Sequence, residues 1–164
     1  MTHATRVSNG RFVLYFFSPA HGAVIGCNLS IIEKRADGIH FTFDDDTKPN
    51  SSYNGVLYQI REYAYFIAWP AGEASELVFG IIQFDHEIGK EGASGHILGI
   101  QRQDKKRRKS GTHMFPSRIK LLPLVEFKDK NALNHYALSQ TGEIPIGIIP
   151  PVIIDFFEDE LSPS

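Results

Sequence analysis

Cysteine is nearly absent from this sequence of 164 residues, which contains only Cys27. One thiol cannot form an internal disulfide, and it cannot build a cysteine-rich zinc site. A chain of this length buries enough apolar surface to fold without either device. The single cysteine therefore favours a reducing compartment, and we expect a cytoplasmic protein.

Long hydrophobic runs are also missing. The longest apolar stretch, residues 144–157, is broken by three prolines, and residues 1–10 lack the apolar segment of a secretory signal. The net charge is only −2, which gives no general attraction to nucleic acid or to a membrane surface. We therefore expect neither a membrane nor nucleic acid among the partners.

Motifs for catalysis and cofactor binding are missing as well. The sequence has no phosphate-binding glycine loop, no dinucleotide fingerprint, no His-Glu-x-x-His and no Gly-x-Ser-x-Gly. Its seven histidines include no pair at a short metal-ligand spacing. Asp85-His86-Glu87 brings three ionisable groups together, but neighbours on a strand point to opposite faces. We expect no catalytic residue, no metal and no cofactor.

Alternation of apolar and polar residues with a period of two dominates what is present. Residues 25–31, 39–43 and 63–69 alternate in this way, which is typical of half-buried strands. Asp37-Gly38 between the first two segments is a hairpin signal. About eight such strands predict an all-β fold, a meandering antiparallel barrel with a short C-terminal helix. A sandwich is the alternative, and the barrel is preferred because closure removes exposed strand edges.

The sequence divides into three parts. We expect an extended or disordered lead-in over residues 1–10, the β-barrel domain over 11–125 and a C-terminal extension over 126–164. A short helix is predicted at Lys130–Leu138, and an amphipathic helix packed on the barrel is predicted at Pro151–Leu161, with proline at its first position. Three apolar residues on one face of that helix are candidates for a protein partner or for self-association: Ile153, Phe156 and Phe157.

Aromatic residues are concentrated in the middle of the chain. Tyr63, Tyr65 and Trp69 are predicted to share one strand face, with Ala64 and Ala68 on the other. Inward tyrosines have an apolar body and a polar tip, which suits a ligand pocket, whereas packing in the core is the alternative. For a small anionic ligand the candidate contacts are Tyr53, Tyr63, Tyr65, Arg118 and Lys120.

A run of five positive charges, Lys105–Lys109, stands out from the near-neutral balance. One interpretation is a loop that binds phosphate groups. The other, which we favour, is a solvent-exposed hairpin tip, because runs of like charge are usually solvated and no aromatic residue is interleaved for base stacking.

The order of several short motifs resembles that of a known domain. Phe12–Ser18 is an aromatic strand that ends in a Ser-Pro turn, and Tyr53-Asn54-Gly55, Leu98-Gly99-Ile100 and Pro116–Leu122 follow. This order resembles the β-rich, sensor-like C-terminal domain of bacterial XRE-type helix-turn-helix transcriptional regulators. Residues 1–10 are too few for the DNA-binding head, so the resemblance implies a detached sensor domain or a fragment of a longer regulator.

The expected function is therefore a non-catalytic ligand-sensing or regulatory module. The first alternative is a protein-interaction subunit that acts through its C-terminal helix and an exposed strand. The second is an enzyme acting on nucleotides or phosphoesters through the scattered histidines. A filled barrel interior would favour interaction, and a cavity of several hundred cubic ångströms would favour a ligand.

Overall fold

The computed structural model describes residues 10–19, 21–44, 52–70, 77–83, 88, 91–101, 113–124 and 129–162. Eight longer strands come first: β1 (Arg11–Ser18), β2 (Ala23–Arg35), β3 (Gly38–Asp44), β4 (Ser52–Ile60), β5 (Tyr63–Pro70), β6 (Val78–Gln83), β7 (Ala93–Gln101) and β8 (His113–Pro123). The C-terminal extension (residues 129–162) then contains α1 (Lys130–Ser139), the two-residue strand β9 (Gly142–Glu143), a 3-10 helix (Ile146–Ile148), α2 (Pro151–Phe156) and α3 (Glu158–Leu161).

The eight longer strands close into a barrel. Each strand pairs antiparallel with its neighbour in the chain, and β1 pairs with both β2 and β8. The closing ladder runs from Phe12 opposite Pro123 to Phe16 opposite Ile119. Because the first and last strands are hydrogen-bonded, the predicted meandering antiparallel barrel is confirmed, and the sandwich is not the architecture.

Side chains that point inward from all eight strands form one apolar core. In β5 these are Ala64, Phe66 and Ala68, and the two alanines have no exposed surface. The rings of Phe41 and Phe66 meet edge to face, with centroids 5.9 Å apart and an angle of 85° between their planes. The two rings, which come from β3 and β5, therefore pack directly on each other in the interior.

Two glycines make room for these rings. A Cβ atom at Gly55 would lie 2.3 Å from Cζ of Phe41, and one at Gly80 would lie 2.0 Å from Cζ of Phe66. Both distances are far shorter than van der Waals contact, so these positions accept only glycine while the rings stay in place. An eight-stranded barrel is just wide enough for side chains to fill it, and in this barrel the rings of Phe41 and Phe66 pack directly against glycine.

The C-terminal extension covers the outside of the barrel along β1, β2 and β8. Val13 and Tyr15 point outward from β1, and Val24 points outward from β2, yet all three are buried. They pack against Ile153 and Phe157, each of which has no exposed surface. We call this surface the covered face. The C-terminal helices pack on the barrel at this face.

Local sequence signals explain where the helices begin. The side chain of Asp129 accepts a hydrogen bond from the Ala132 amide at 2.8 Å and caps α1, so the predicted short helix is confirmed. Pro151 occupies the first turn of α2, as predicted. The hydrogen-bond ladder continues from α2 into α3 through Phe157, whose backbone departs from helical angles. The predicted single helix is therefore two short helices in succession.

Polar contacts fix the extension to the barrel. Tyr15 donates its hydroxyl proton to Oε1 of Gln140 at 2.7 Å, and Nε2 of Gln140 donates to the Ile148 carbonyl at 3.1 Å. Beside them, β9 pairs with β2 at Gly26, where a Cβ atom would lie 2.0 Å from the carbonyl oxygen of Gln140. The close approach at Gly26 is what allows Gln140 to reach these partners.

Candidate functional site

The barrel interior is the first place to look for a ligand site. Of the five predicted ligand contacts, only Tyr53 lies on the inward side, where it is partly buried and packs against the apolar core. Its neighbours across the β4 ladders are Phe43 and Pro70. Tyr53 therefore belongs to the packed interior, which is the second of the two interpretations considered for inward tyrosines.

The interior also contains a buried polar side chain, that of Gln59. Gln59 lies in β4 opposite Ala64, on the inward side of the wall. Both atoms of its side-chain amide are buried and have no hydrogen-bond partner. An unsatisfied buried amide costs about 1–3 kcal/mol. The end of the barrel near the β4–β5 turn is therefore not packed for greatest stability.

Tyr63 and Tyr65 lie on the outside of β5. The prediction that they share a face opposite Ala64 and Ala68 is confirmed, but that face points away from the interior. Tyr65 keeps 42% of its surface exposed, and its ring centroid is 6.3 Å from that of Tyr63. These two tyrosines thus line neither an internal pocket nor the barrel core.

The two outward tyrosines belong to a larger apolar surface. Across the ladders Tyr58 lies opposite Tyr65, Ile60 lies opposite Tyr63, and Phe79 lies opposite Ile67. Tyr58, Ile60 and Phe79 are 47%, 60% and 39% exposed. We call this surface the tyrosine face; it consists of Tyr58, Ile60, Tyr63, Tyr65, Ile67, Phe79 and Ile81.

The sequence contains a signal for this surface in the length of the β4–β5 turn. Only Arg61 and Glu62 separate β4 from β5, so residues equally distant from this turn lie opposite each other. That rule alone places Tyr58 against Tyr65 and Ile60 against Tyr63. The tyrosine face was missed because the aromatic cluster was assigned to the interior.

Arg118 and Lys120 point outward from β8 and contact the C-terminal extension. The guanidinium of Arg118 donates to the Phe156 carbonyl at 3.0 Å and to Oε1 of Glu160 at 3.1 Å, and its central carbon lies 4.2 Å from the Phe156 ring centroid. Nζ of Lys120 is 5.3 Å from the same centroid. Burial lowers the pKa of Lys120, and the Glu91 carboxylate offsets part of that shift. Both cations thus help to hold α2 and α3.

The five predicted ligand contacts do not form one site. Tyr53 is inside the wall and the other four are outside. From Tyr65 the ladders lead through Ile81 and His96 to Arg118, which is three strand spacings or roughly 14 Å. Binding of a small anionic ligand by these residues stays a prediction, and the structure divides them among three places.

The structure also bears on metal-ion binding and on membrane-spanning helices. Among the described residues, no three His, Cys, Asp or Glu side chains are grouped so that they would hold a metal ion. Within the same ranges, no helix is both long and apolar enough to cross a membrane. The basic run Lys105–Lys109 and the Asp85-His86-Glu87 segment lie outside the described residues, so the interpretations given for them stay predictions.

Comparisons with known proteins add no relative to this picture. Searches against protein-family models, curated proteins and solved structures returned no match to this chain. The packed interior, the covered face and the tyrosine face are therefore the features that bear on function.

Proposed function

We propose that this protein is a non-catalytic interaction module that binds a protein partner through the tyrosine face. The observation that supports it is a contrast between inside and outside. Apolar side chains from all eight strands pack together in the interior, whereas Tyr58, Ile60 and Tyr65 stand exposed next to each other on the wall. Tyrosine is enriched in protein interfaces because it combines a large apolar body with a polar tip.

The C-terminal helix is a weaker candidate for the binding surface. Ile153 and Phe157, two of the three residues predicted for a partner, have no exposed surface and pack against β1 and β2. Phe156 is partly buried beneath Arg118. A partner would have to displace the extension to reach them. A role in transcriptional regulation, which the family resemblance implies, stays a prediction.

A photo-cross-linking amino acid at position 65 tests the proposal. We expect a discrete cross-linked product whose second component is identified by mass and re-forms the product when purified. Leu138 is the matched control position, because it is an exposed apolar residue, at 64%, outside the tyrosine face. The product should disappear when Tyr58→Glu is added. Equal products from positions 65 and 138, or none from 65, would contradict the proposal.

A further inference from the structure

Charge at the end of the tyrosine face indicates what covers it. The face itself is made of uncharged side chains, and the β4–β5 turn at its end carries Arg61 and Glu62, both exposed. These adjacent residues have opposite charge. A partner of uniform charge would attract one of them and repel the other, whereas a surface with the same two charges in reversed order would attract both.

We infer that a second copy of this chain covers the tyrosine face, related by a two-fold axis that runs along the β4–β5 hairpin. The inference rests on the proposed function and names its partner. Rotation about that axis places β4 of one copy over β5 of the other. Each Tyr58 then lies on Tyr65 of the second copy, as a two-fold interface requires.

The same axis brings the charged turns together. Since Arg61 and Glu62 lie on the two sides of the hairpin, the rotation sets Arg61 of each copy against Glu62 of the other. Two ion pairs form at the rim of an apolar contact, and one symmetry operation accounts for both the aromatic and the charged residues. Faces of two sheets pack in this aligned manner in β-sandwiches, with a small angle between their strands.

The available area fits a weak specific dimer. Aromatic side chains present ~150–250 Å² each. At the exposures of Tyr58, Ile60, Tyr65 and Phe79, with smaller contributions from their neighbours, each copy offers roughly 500 Å². Two copies together bury about 1,000 Å², which is the lower limit for a specific interface. We therefore expect dimerisation in the micromolar range.

Charge reversal at the turn tests the second copy directly. In a dimer of the Arg61→Glu variant, positions 61 and 62 of the two copies place four acidic residues around the axis, and in a dimer of Glu62→Arg they place four basic ones. Because like charges repel, each single variant should dimerise roughly tenfold more weakly at low salt. An equimolar mixture of the two variants should form heterodimers in excess over either homodimer, as measured by native mass spectrometry. The double variant, with both charges exchanged, should regain the wild-type dissociation constant.

A control variant and a direct measurement of the oligomeric state complete the test of the dimer. Tyr65→Ala should weaken the dimer by roughly tenfold or more, as for a central interface tyrosine, while thermal melts of the turn variants show that they fold. A wild-type chain that stays monomeric at about 100 μM, well above a micromolar dissociation constant, overturns the inference, as does a mixture without excess heterodimer. If position 65 then cross-links a different protein, the proposed function stands without the dimer; if it cross-links nothing, both fail.

Discussion

Two outer faces of the same barrel differ in what lies over them. On the covered face, Val13, Tyr15 and Val24 point away from the interior and are at most 1% exposed, because the C-terminal extension packs on them. On the tyrosine face, Tyr58 and Tyr65 also point away from the interior but keep nearly half of their surface exposed. The residue types on the two faces are alike. The faces therefore differ in whether the C-terminal extension lies over them, and not in the residues of the barrel strands.

The comparison shows how apolar residues on the outside of a barrel are accommodated. Their burial stabilises the protein by about 25 cal/mol for each Å² removed from water. On the covered face this gain is made within one chain. The apolar side chains of the tyrosine face are still exposed, so the chain does not gain this stabilisation there. A contiguous exposed apolar patch on a folded domain commonly marks an interaction site.

The largest expected effect is the loss of stability when a ring is removed from the covered face, compared with removal of the same ring from the tyrosine face. Phe157→Ala should lower the free energy of unfolding by about 3–5 kcal/mol, because it leaves a cavity at a position with no exposed surface. Phe79→Ala, which removes the same ring from the tyrosine face, should change it by less than ~1 kcal/mol. Urea unfolding at low-micromolar protein measures both. Equal losses would mean that the two faces do not differ in cover.

A smaller effect is expected where the extension approaches the barrel most closely. Gly26→Ala places a Cβ atom against the Gln140 carbonyl, so the extension must shift, and we expect a loss of about 1–3 kcal/mol. Gly147→Ala is the control, since a Cβ there meets nothing within 4 Å. It should change stability by less than ~0.5 kcal/mol. An unaffected Gly26→Ala variant would show that the close approach does not hold the extension in place.

Hydroxyl groups give a third contrast between the faces. Tyr15→Phe leaves Oε1 of the buried Gln140 without its donor, and we expect a loss of about 1–2 kcal/mol. Tyr58→Phe removes a hydroxyl from the tyrosine face and should have little effect on unfolding. Chemical denaturation of both variants near neutral pH provides the measurement, and similar losses would contradict the contrast.

The dependence on pH sharpens this prediction. Burial raises the pKa of Tyr15 above its usual value, and Tyr136 beside it raises that pKa further. Above about pH 10 the unfolded chain loses the Tyr15 proton while the folded chain retains it. The wild-type protein should therefore lose stability as the pH rises through that range, and Tyr15→Phe should lose less. A steeper loss in the variant would contradict the assignment.

Much of the fold was predictable because it depends on local pattern. Alternation with a period of two located the strands, and the Asp37-Gly38 turn joined β2 to β3 as expected. Pro151 marked the first turn of α2. The pattern also separated the two faces of β5. It did not say which face points inward, because both faces are rich in apolar residues.

The candidate site was less predictable, since it depends on what fills the barrel. Ala64 and Ala68 face inward because the rings of Phe41 and Phe66 already occupy that space, and this leaves the tyrosines outside. Arg118, one of the predicted ligand contacts, contacts Glu160, a residue 42 positions away. Local sequence does not reveal a contact of that separation.

The most direct test of the account is hydroxyl-radical footprinting of the tyrosines as a function of protein concentration. Tyr15 should be protected at every concentration, because the C-terminal extension of its own chain covers it. Tyr58 and Tyr65 should react readily in dilute protein and become protected as the concentration passes through the micromolar range, where the second copy binds. Equal reactivity of Tyr58 and Tyr65 at all concentrations would contradict the claim that the tyrosine face is covered by another copy of the chain.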